Sequence, residues 1–175
     1  MKLLKNARVL VYHEIIDENK ETRKPIQKLT GDDYRVKCEC VEKDCGLDIL
    51  IKDKDWRIRA AVAKRCYRLD VLINDEDDDV RVAVAQQGYG LDILVHDDVF
   101  TVRAAVARQG YALDVLVYSE NKYIRRAVAQ QGYGLNLLVR DEDEGVRAVV
   151  AEQGYGLDTL VDDVSGLVRA AVAEQ

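Results

Sequence analysis

A period of 22 residues governs most of this sequence. Copies of the stretch Tyr89–Gly110, YGLDILVHDDVFTVRAAVARQG, follow one another, so that tyrosine recurs at 67, 89, 111, 133 and 155 and arginine at 59, 81, 103, 125, 147 and 169. A fixed period of about 20 to 50 residues is typical of repeat proteins, in which each copy buries its apolar face on the next. The spacing therefore predicts one continuous array over residues 25–175, with residues 1–24 as a degenerate N-terminal cap.

Each copy has room for two short helices. We expect the first over Leu91–His96 and the second over Val102–Gln109, with Asp97–Thr101 as the linker and Gly110 as a left-handed residue that ends the second helix. The apolar side chains at helical spacing are Leu91, Leu94, Val95, Val102, Ala105 and Val106. Helices of under three turns are unstable alone, so each must pack on a neighbouring copy. The predicted fold is all-α, a right-handed superhelix of two-helix repeats.

The motif VRAAVA with a short leucine-bearing helix resembles the leucine-rich repeat variant family and, more broadly, the HEAT-like α-solenoids. The resemblance covers roughly Gly31 to Gln175. It implies an α-solenoid that serves as an interaction scaffold for another protein, without catalytic activity. The partner's identity does not follow from it.

An aspartate precedes most of the recurring arginines by six residues. The pairs are Asp53 and Arg59, Asp75 and Arg81, Asp97 and Arg103, Asp141 and Arg147, and Asp163 and Arg169, while Ser119 interrupts the series before Arg125. The spacing matches that of the HEAT family, in which such pairs form a ladder between stacked repeats. A carboxylate at a helix start can accept guanidinium N–H bonds, which suits this structural role. The alternative is a stripe of arginines that binds phosphates.

Four cysteines lie in the first part of the chain, at Cys38, Cys40, Cys45 and Cys66. The leucine-rich repeat variant family has an N-terminal cysteine cluster that binds a [4Fe–4S] centre, and this resemblance implies the same ligands here as an alternative function. The spacing C-x-C-x4-C-x20-C is no standard zinc or ferredoxin pattern. Each cysteine also occupies a position that other copies fill with a small residue, glycine or tyrosine. We therefore favour structural cysteines, with no metal or cofactor.

The copies differ most in the linker before the second helix and at the end of the first helix. Constant positions are expected to hold the scaffold, and variable ones to face water or a partner. Large or charged side chains at variable positions are the candidate partner-binding residues, since aromatic and arginine side chains are common interface anchors. They are Trp56, Arg57, Phe100, Tyr118, Lys122 and Tyr123. The recurring tyrosines are interpreted as structural rings between copies, with a binding row as the alternative.

Composition narrows the classes of function. The net charge of −6 disfavours nucleic acid, although a nucleic-acid-binding HEAT-like protein stays a further alternative. No apolar run is long enough to span a membrane, and no nucleophile–base pair suggests an enzyme. Few cysteines outside a disulfide scaffold indicate a reducing, cytoplasmic location.

The last copy stops at Gln175 with no polar cap after it. Its apolar side chains are Leu157, Leu160, Val161, Val168, Ala171 and Val172. An open end of an array exposes an apolar face, so we expect a homodimer through this copy.

Overall fold

The computed structural model describes residues 34–175, so the cap predicted for residues 1–24 and the start of the array at residues 25–33 lie outside it. The described residues form thirteen helices and no strand, which confirms the all-α prediction. The longer helices are α1 (Tyr34–Glu42), α3 (Trp56–Lys64), α5 (Asp78–Gln86), α7 (Phe100–Arg108), α9 (Lys122–Gln130), α11 (Glu144–Glu152) and α13 (Gly166–Ala173). The shorter ones are α2 (Leu47–Leu50), α4 (Leu69–Leu72), α6 (Leu91–Leu94), α8 (Leu113–Leu116), α10 (Leu135–Leu138) and α12 (Leu157–Leu160). None of these thirteen helices is long and apolar enough to cross a membrane.

The longer helices begin two residues earlier than the sequence predicted, as α7 shows by starting at Phe100 instead of Val102. In most copies the residue before the helix caps it, because its side chain accepts the backbone N–H two residues later. The capping residues are Asp55, Asp77, Asn121, Asp143 and Ser165. The copy that begins at Tyr89 has Val99 at this position, where no side-chain hydrogen bond forms. The strongest signal for the start of the helix is therefore missing from that copy.

The shorter helices begin after a residue with left-handed backbone. Gly90 has φ +60° before α6, but Arg68 and Ala112 adopt φ +47° and +52° at the equivalent positions. α6 ends at Leu94, two residues before the predicted end at His96. Gly110 has φ +76° after α7, as predicted for the residue that ends the long helix.

The chain divides into two compact units, of which the first ends at Gln87 and the second is Gly88–Gln175. In the first unit α3 packs against α1 and α5. In the second unit α7 packs against α9, α9 against α11, and α11 against α13.

The cores of both units combine recurring β-branched residues and alanines of the long helices with the last leucine of each short helix. Val102, Ala105 and Val106 are at most 1% exposed, as their helical spacing predicted. Burial of these stripes holds together helices that would be unstable alone.

Candidate interaction surface

Several of the recurring arginines connect one copy to the next, and Arg59 shows the geometry in the first compact unit. Its Nη1 donates to the backbone carbonyl of Asp53, six residues earlier, at 2.7 Å. Its Nε and Nη2 donate to the two carboxylate oxygens of Asp75, sixteen residues later, at 2.7 and 2.8 Å. Both side chains are 8% exposed. The hydrogen bonds to Asp75 raise the pKa of Arg59, against the opposing effect of burial.

The carboxylates are thus assigned differently from the sequence prediction. The residue six positions before the arginine offers its backbone carbonyl, and for Arg59, Arg125 and Arg147 the carboxylate comes from the next copy. Because the arginines recur every 22 residues, an aspartate six residues before one arginine is also sixteen residues after the previous one. The sequence alone could not show which of these two arginines binds its carboxylate.

The same arrangement recurs in the second compact unit. Arg125 donates to the carboxylate of Asp141 at 2.7 and 2.8 Å, and Arg147 donates to that of Asp163 at 2.7 and 2.9 Å. In the first unit Lys37 occupies the arginine position and its Nζ lies 2.7 Å from Asp53. Bidentate charged hydrogen bonds of this kind fix geometry as well as adding energy. Each such pair holds two neighbouring loops in register.

Arg81 and Arg169 also contact the loop that precedes their helix. Arg81 donates to the carbonyls of Asp75 and Glu76 at 2.8 and 3.3 Å. Arg169 donates to the carbonyls of Asp163 and Val164 at 2.6 and 3.1 Å.

Arg103 differs from Arg125 and Arg147, which bind a carboxylate. The residue sixteen positions after it is Ser119, and among the described residues Arg103 donates only to the carbonyl of Asp97. Ser119 Oγ instead accepts the backbone N–H of Asn121 at 3.2 Å. The sequence placed the interruption before Arg125, but Arg125 keeps its carboxylate partner. The arginine whose partner position holds serine is Arg103.

Three of the predicted partner-binding residues lie together in the second unit. The rings of Phe100 and Tyr123 stack with centroids 5.5 Å apart, and they are 37% and 50% exposed. Lys122 Nζ lies 5.7 Å from the centre of the Tyr123 ring and 2.9 Å from Asp143 Oδ2. The hydrogen bond from Lys122 lowers the pKa of Asp143. We call Phe100, Lys122 and Tyr123 the aromatic patch.

The other three predicted residues have different surroundings. Tyr118, directly before Ser119, is 74% exposed. Trp56 and Arg57 belong to the first compact unit, where Trp56 is 39% exposed. Arg57 donates to both carboxylate oxygens of Asp55 at 2.9 and 2.7 Å and lies 4.7 Å above the Tyr34 ring. Arg57 is therefore engaged within its own unit.

The cysteines do not gather around one point in the described structure. Cys40 is buried, and burial together with a hydrogen bond to Cys45 raises its pKa to about 12. The exposed Cys66 donates from Sγ to Gln87 Oε1 at 3.4 Å, and Cys38 is hydrogen-bonded to Tyr34. No group of three or more histidine, cysteine or acidic side chains among residues 34–175 is arranged to hold a metal ion. The [4Fe–4S] alternative stays a prediction, which visible absorption of anaerobically purified protein tests.

Exposed aliphatic side chains of the short helices escaped the sequence reasoning. Ile93, Val115 and Leu137 are 58%, 66% and 49% exposed, in the second unit. Each stands directly before the last leucine of a short helix, off the buried stripe. An apolar residue at this position is the sequence signal that could have identified these exposed side chains. The recurring tyrosines are half-exposed, with Tyr111 at 40% and Tyr133 at 42%.

The apolar face expected to mediate a homodimer lies partly inside the second unit. Val168 and Ala171 are buried, at 0% and 7% exposure. The strongly exposed apolar side chains of that copy are Val161, Val164 and Leu167. The homodimer stays a prediction, which light scattering on the intact protein tests.

Comparison with known proteins returned no relative. No family model matches the chain, and neither does a curated protein or a solved structure.

Proposed function

We propose that this protein is an α-solenoid of 22-residue helix pairs, similar to the leucine-rich repeat variant and HEAT-like families. Its proposed role is that of a non-enzymatic cytoplasmic scaffold that binds another protein. The helix spacing supports the architecture, because the long helices from α3 to α13 begin at residues 56, 78, 100, 122, 144 and 166. The Arg–Asp pairs support a stacked arrangement, since each joins a loop of one copy to the loop of the next.

The aromatic patch is the observation that carries the binding role. Phe100 and Tyr123 keep much of their ring area in water although each copy has a well-packed core beneath them. Stacked, partly exposed aromatic rings beside a lysine give a partner apolar area and a cation at low cost in side-chain entropy. Both rings sit at positions that vary between copies, so the scaffold itself does not require them.

The double variant Phe100→Ser, Tyr123→Ser tests the proposal. Immobilised wild-type protein is incubated with an extract of the native host, and the retained proteins are quantified against those retained by the variant. We expect a specific protein to be retained by the wild type and lost with the variant, while the circular dichroism spectra agree. The matched control is Arg108→Ser, which changes an exposed side chain at the other end of α7, about 12 Å from Phe100. Equal retention by all three proteins would contradict the proposed surface.

A further inference from the structure

In the second compact unit, Arg103 is the recurring arginine whose partner position, sixteen residues later, holds a serine. Arg125 and Arg147 each hold a carboxylate sixteen residues later, and Arg103 has Ser119 there. The Arg103 guanidinium is half-buried, and within the described residues it uses Nη1 for the Asp97 carbonyl. Nε and Nη2 hold the carboxylate in the other two pairs, and neither has such an acceptor among residues 34–175.

The loop around Ser119 is otherwise built like its counterparts. Ser119 Oγ accepts the N–H of Asn121 at 3.2 Å, as Asp141 accepts the N–H of Asp143 at 2.9 Å. Serine is shorter than aspartate and carries no charge, so the loop keeps its shape but loses the anion. Glu120 follows Ser119 at the position from which Glu142 contacts Arg125 at 3.1 Å. No ion pair joins Glu120 to Arg103 in the described structure.

The surroundings of Arg103 also favour contact with a partner. Phe100 of the aromatic patch lies three residues before Arg103 on α7, hence on the same side of the helix. Tyr118, the residue next to Ser119, is 74% exposed. Arg103 is thus a half-buried cation about one helical turn from an exposed aromatic ring.

We propose that Arg103 and Ser119 form a binding site for a carboxylate of a partner protein. A Glu or Asp side chain of the partner takes the place that Asp141 and Asp163 occupy toward Arg125 and Arg147, and an apolar neighbour of that side chain packs on Phe100 or Tyr118. This site rests on the proposed scaffold function and names the chemistry that it recognises. A singly charged carboxylate fits better than a phosphate, because Glu120 is adjacent and the chain carries a net charge of −6.

Paired peptides test the site directly. A library of short labelled peptides has glutamate at the centre and varied apolar neighbours, and each peptide has twins with glutamine or phosphoserine at the centre. Binding is measured by fluorescence anisotropy for the wild type, Ser119→Asp and Arg103→Gln. We expect the wild type to bind the best glutamate peptides about tenfold more tightly than their glutamine twins, as one charged hydrogen-bonded pair provides. Ser119→Asp and Arg103→Gln should lose this preference, the first because its own carboxylate occupies Arg103.

The Ser119→Asp variant also serves as the control for folding, because it copies a residue found elsewhere in the chain. Ser119→Asp introduces the aspartate that the other copies have at the equivalent position, namely Asp53, Asp75, Asp97, Asp141 and Asp163. The melting temperature of this variant should therefore equal or exceed that of the wild type. Peptides bound without any glutamate preference, or a preference that persists in Ser119→Asp, would overturn the site and leave the scaffold proposal intact. Preference for phosphoserine over glutamate would overturn the carboxylate assignment. If no peptide binds the wild type, the site is rejected, and the aromatic-patch experiment decides the scaffold function separately.

Discussion

Residues 97–119 and residues 141–163 are equivalent stretches of the second compact unit, yet they obey the rules of the repeat to different degrees. The later stretch has a capping aspartate at Asp143, a left-handed glycine at Gly156, and a carboxylate at Asp163 that binds Arg147. The earlier stretch replaces all three, with Val99, Ala112 and Ser119. Both stretches form the same helices, because the buried stripe is intact in each.

The comparison shows which interactions determine the fold and which ones are optional. Core burial at the recurring positions is sufficient for the helix pair, while the cap, the glycine and the ion pair add stability. Departures from local rules that collect in one stretch are expected near functional positions. In this protein Val99 and Ser119 are next in sequence to Phe100 and Tyr118, in the region that we propose for contact with a partner.

The largest difference is expected between the two arginines. Arg147→Gln leaves the carboxylate of Asp163, 9% exposed, without its counter-charge, and should cost about 3 kcal/mol of unfolding free energy. Arg103→Gln removes a hydrogen bond to a backbone carbonyl and should cost about 1 kcal/mol. Urea unfolding followed by circular dichroism measures both. Equal losses would mean that Arg103 has a partner of the same strength as Arg147 has.

Substitutions at the left-handed residue before the short helices should change the unfolding free energy in opposite directions in the two stretches. Gly156→Ala introduces a Cβ only 2.7 Å from Val139 Cγ2 at a residue with φ +64°, so we expect a loss of about 2 kcal/mol. Ala112→Gly relieves a positive φ of 52° and should stabilise the protein by roughly 0.5–1 kcal/mol. Thermal unfolding of the two variants beside the wild type checks the signs. Destabilisation by Ala112→Gly would show that the alanine methyl contributes more through packing than it costs in strain.

Restoring the missing cap should have a smaller effect. Val99→Asp introduces a capping carboxylate that can accept the backbone N–H of Thr101, as the capping side chains of five other long helices do. The unfolding free energy should rise by roughly 0.5 kcal/mol, after the loss of the half-buried valine is subtracted. Chemical denaturation resolves a change of this size when the two proteins are measured side by side. A loss of stability would indicate that valine packing outweighs capping at this position.

Acid should weaken the later stretch selectively. The hydrogen bonds from Arg147 lower the pKa of Asp163, and the one from Lys122 lowers that of Asp143. A carboxylate whose pKa is lower in the folded state contributes stability above its unfolded pKa of about 3.9 and loses it as pH falls through the folded value. The difference in unfolding free energy between the wild type and Asp163→Asn should therefore shrink below about pH 4. A difference that is constant from pH 6 to pH 2 would show that the charge of Asp163 does not matter.

The period of 22 was enough to predict the all-α fold, the buried stripe of Val102, Ala105 and Val106, and the left-handed Gly110. Helix starts were less well predicted, since the copy with Val99 lacks the capping side chain that marks them elsewhere. Comparison of the copies with one another would have marked the helix starts, because a capping side chain occupies the equivalent position in most of them, as Asp55, Asp77, Asn121 and Asp143 show.

The partner of each arginine could not be predicted for a geometric reason. In a strict repeat, an aspartate six residues before one arginine is also sixteen residues after the preceding arginine. Only the three-dimensional arrangement shows that such an aspartate gives its backbone carbonyl to the arginine six residues later and its carboxylate to the arginine sixteen residues earlier. This is why the consequence of Ser119 belongs to Arg103 and not to Arg125.

A double-mutant cycle on Ser119→Asp and Arg103→Gln tests that assignment most directly. We expect Ser119→Asp to raise the unfolding free energy by about 1 kcal/mol when Arg103 is present, since it forms the pair that Arg147 and Asp163 form, and to give no gain with Arg103→Gln. The same change in both backgrounds would contradict the account, because residue 119 would then act without facing Arg103.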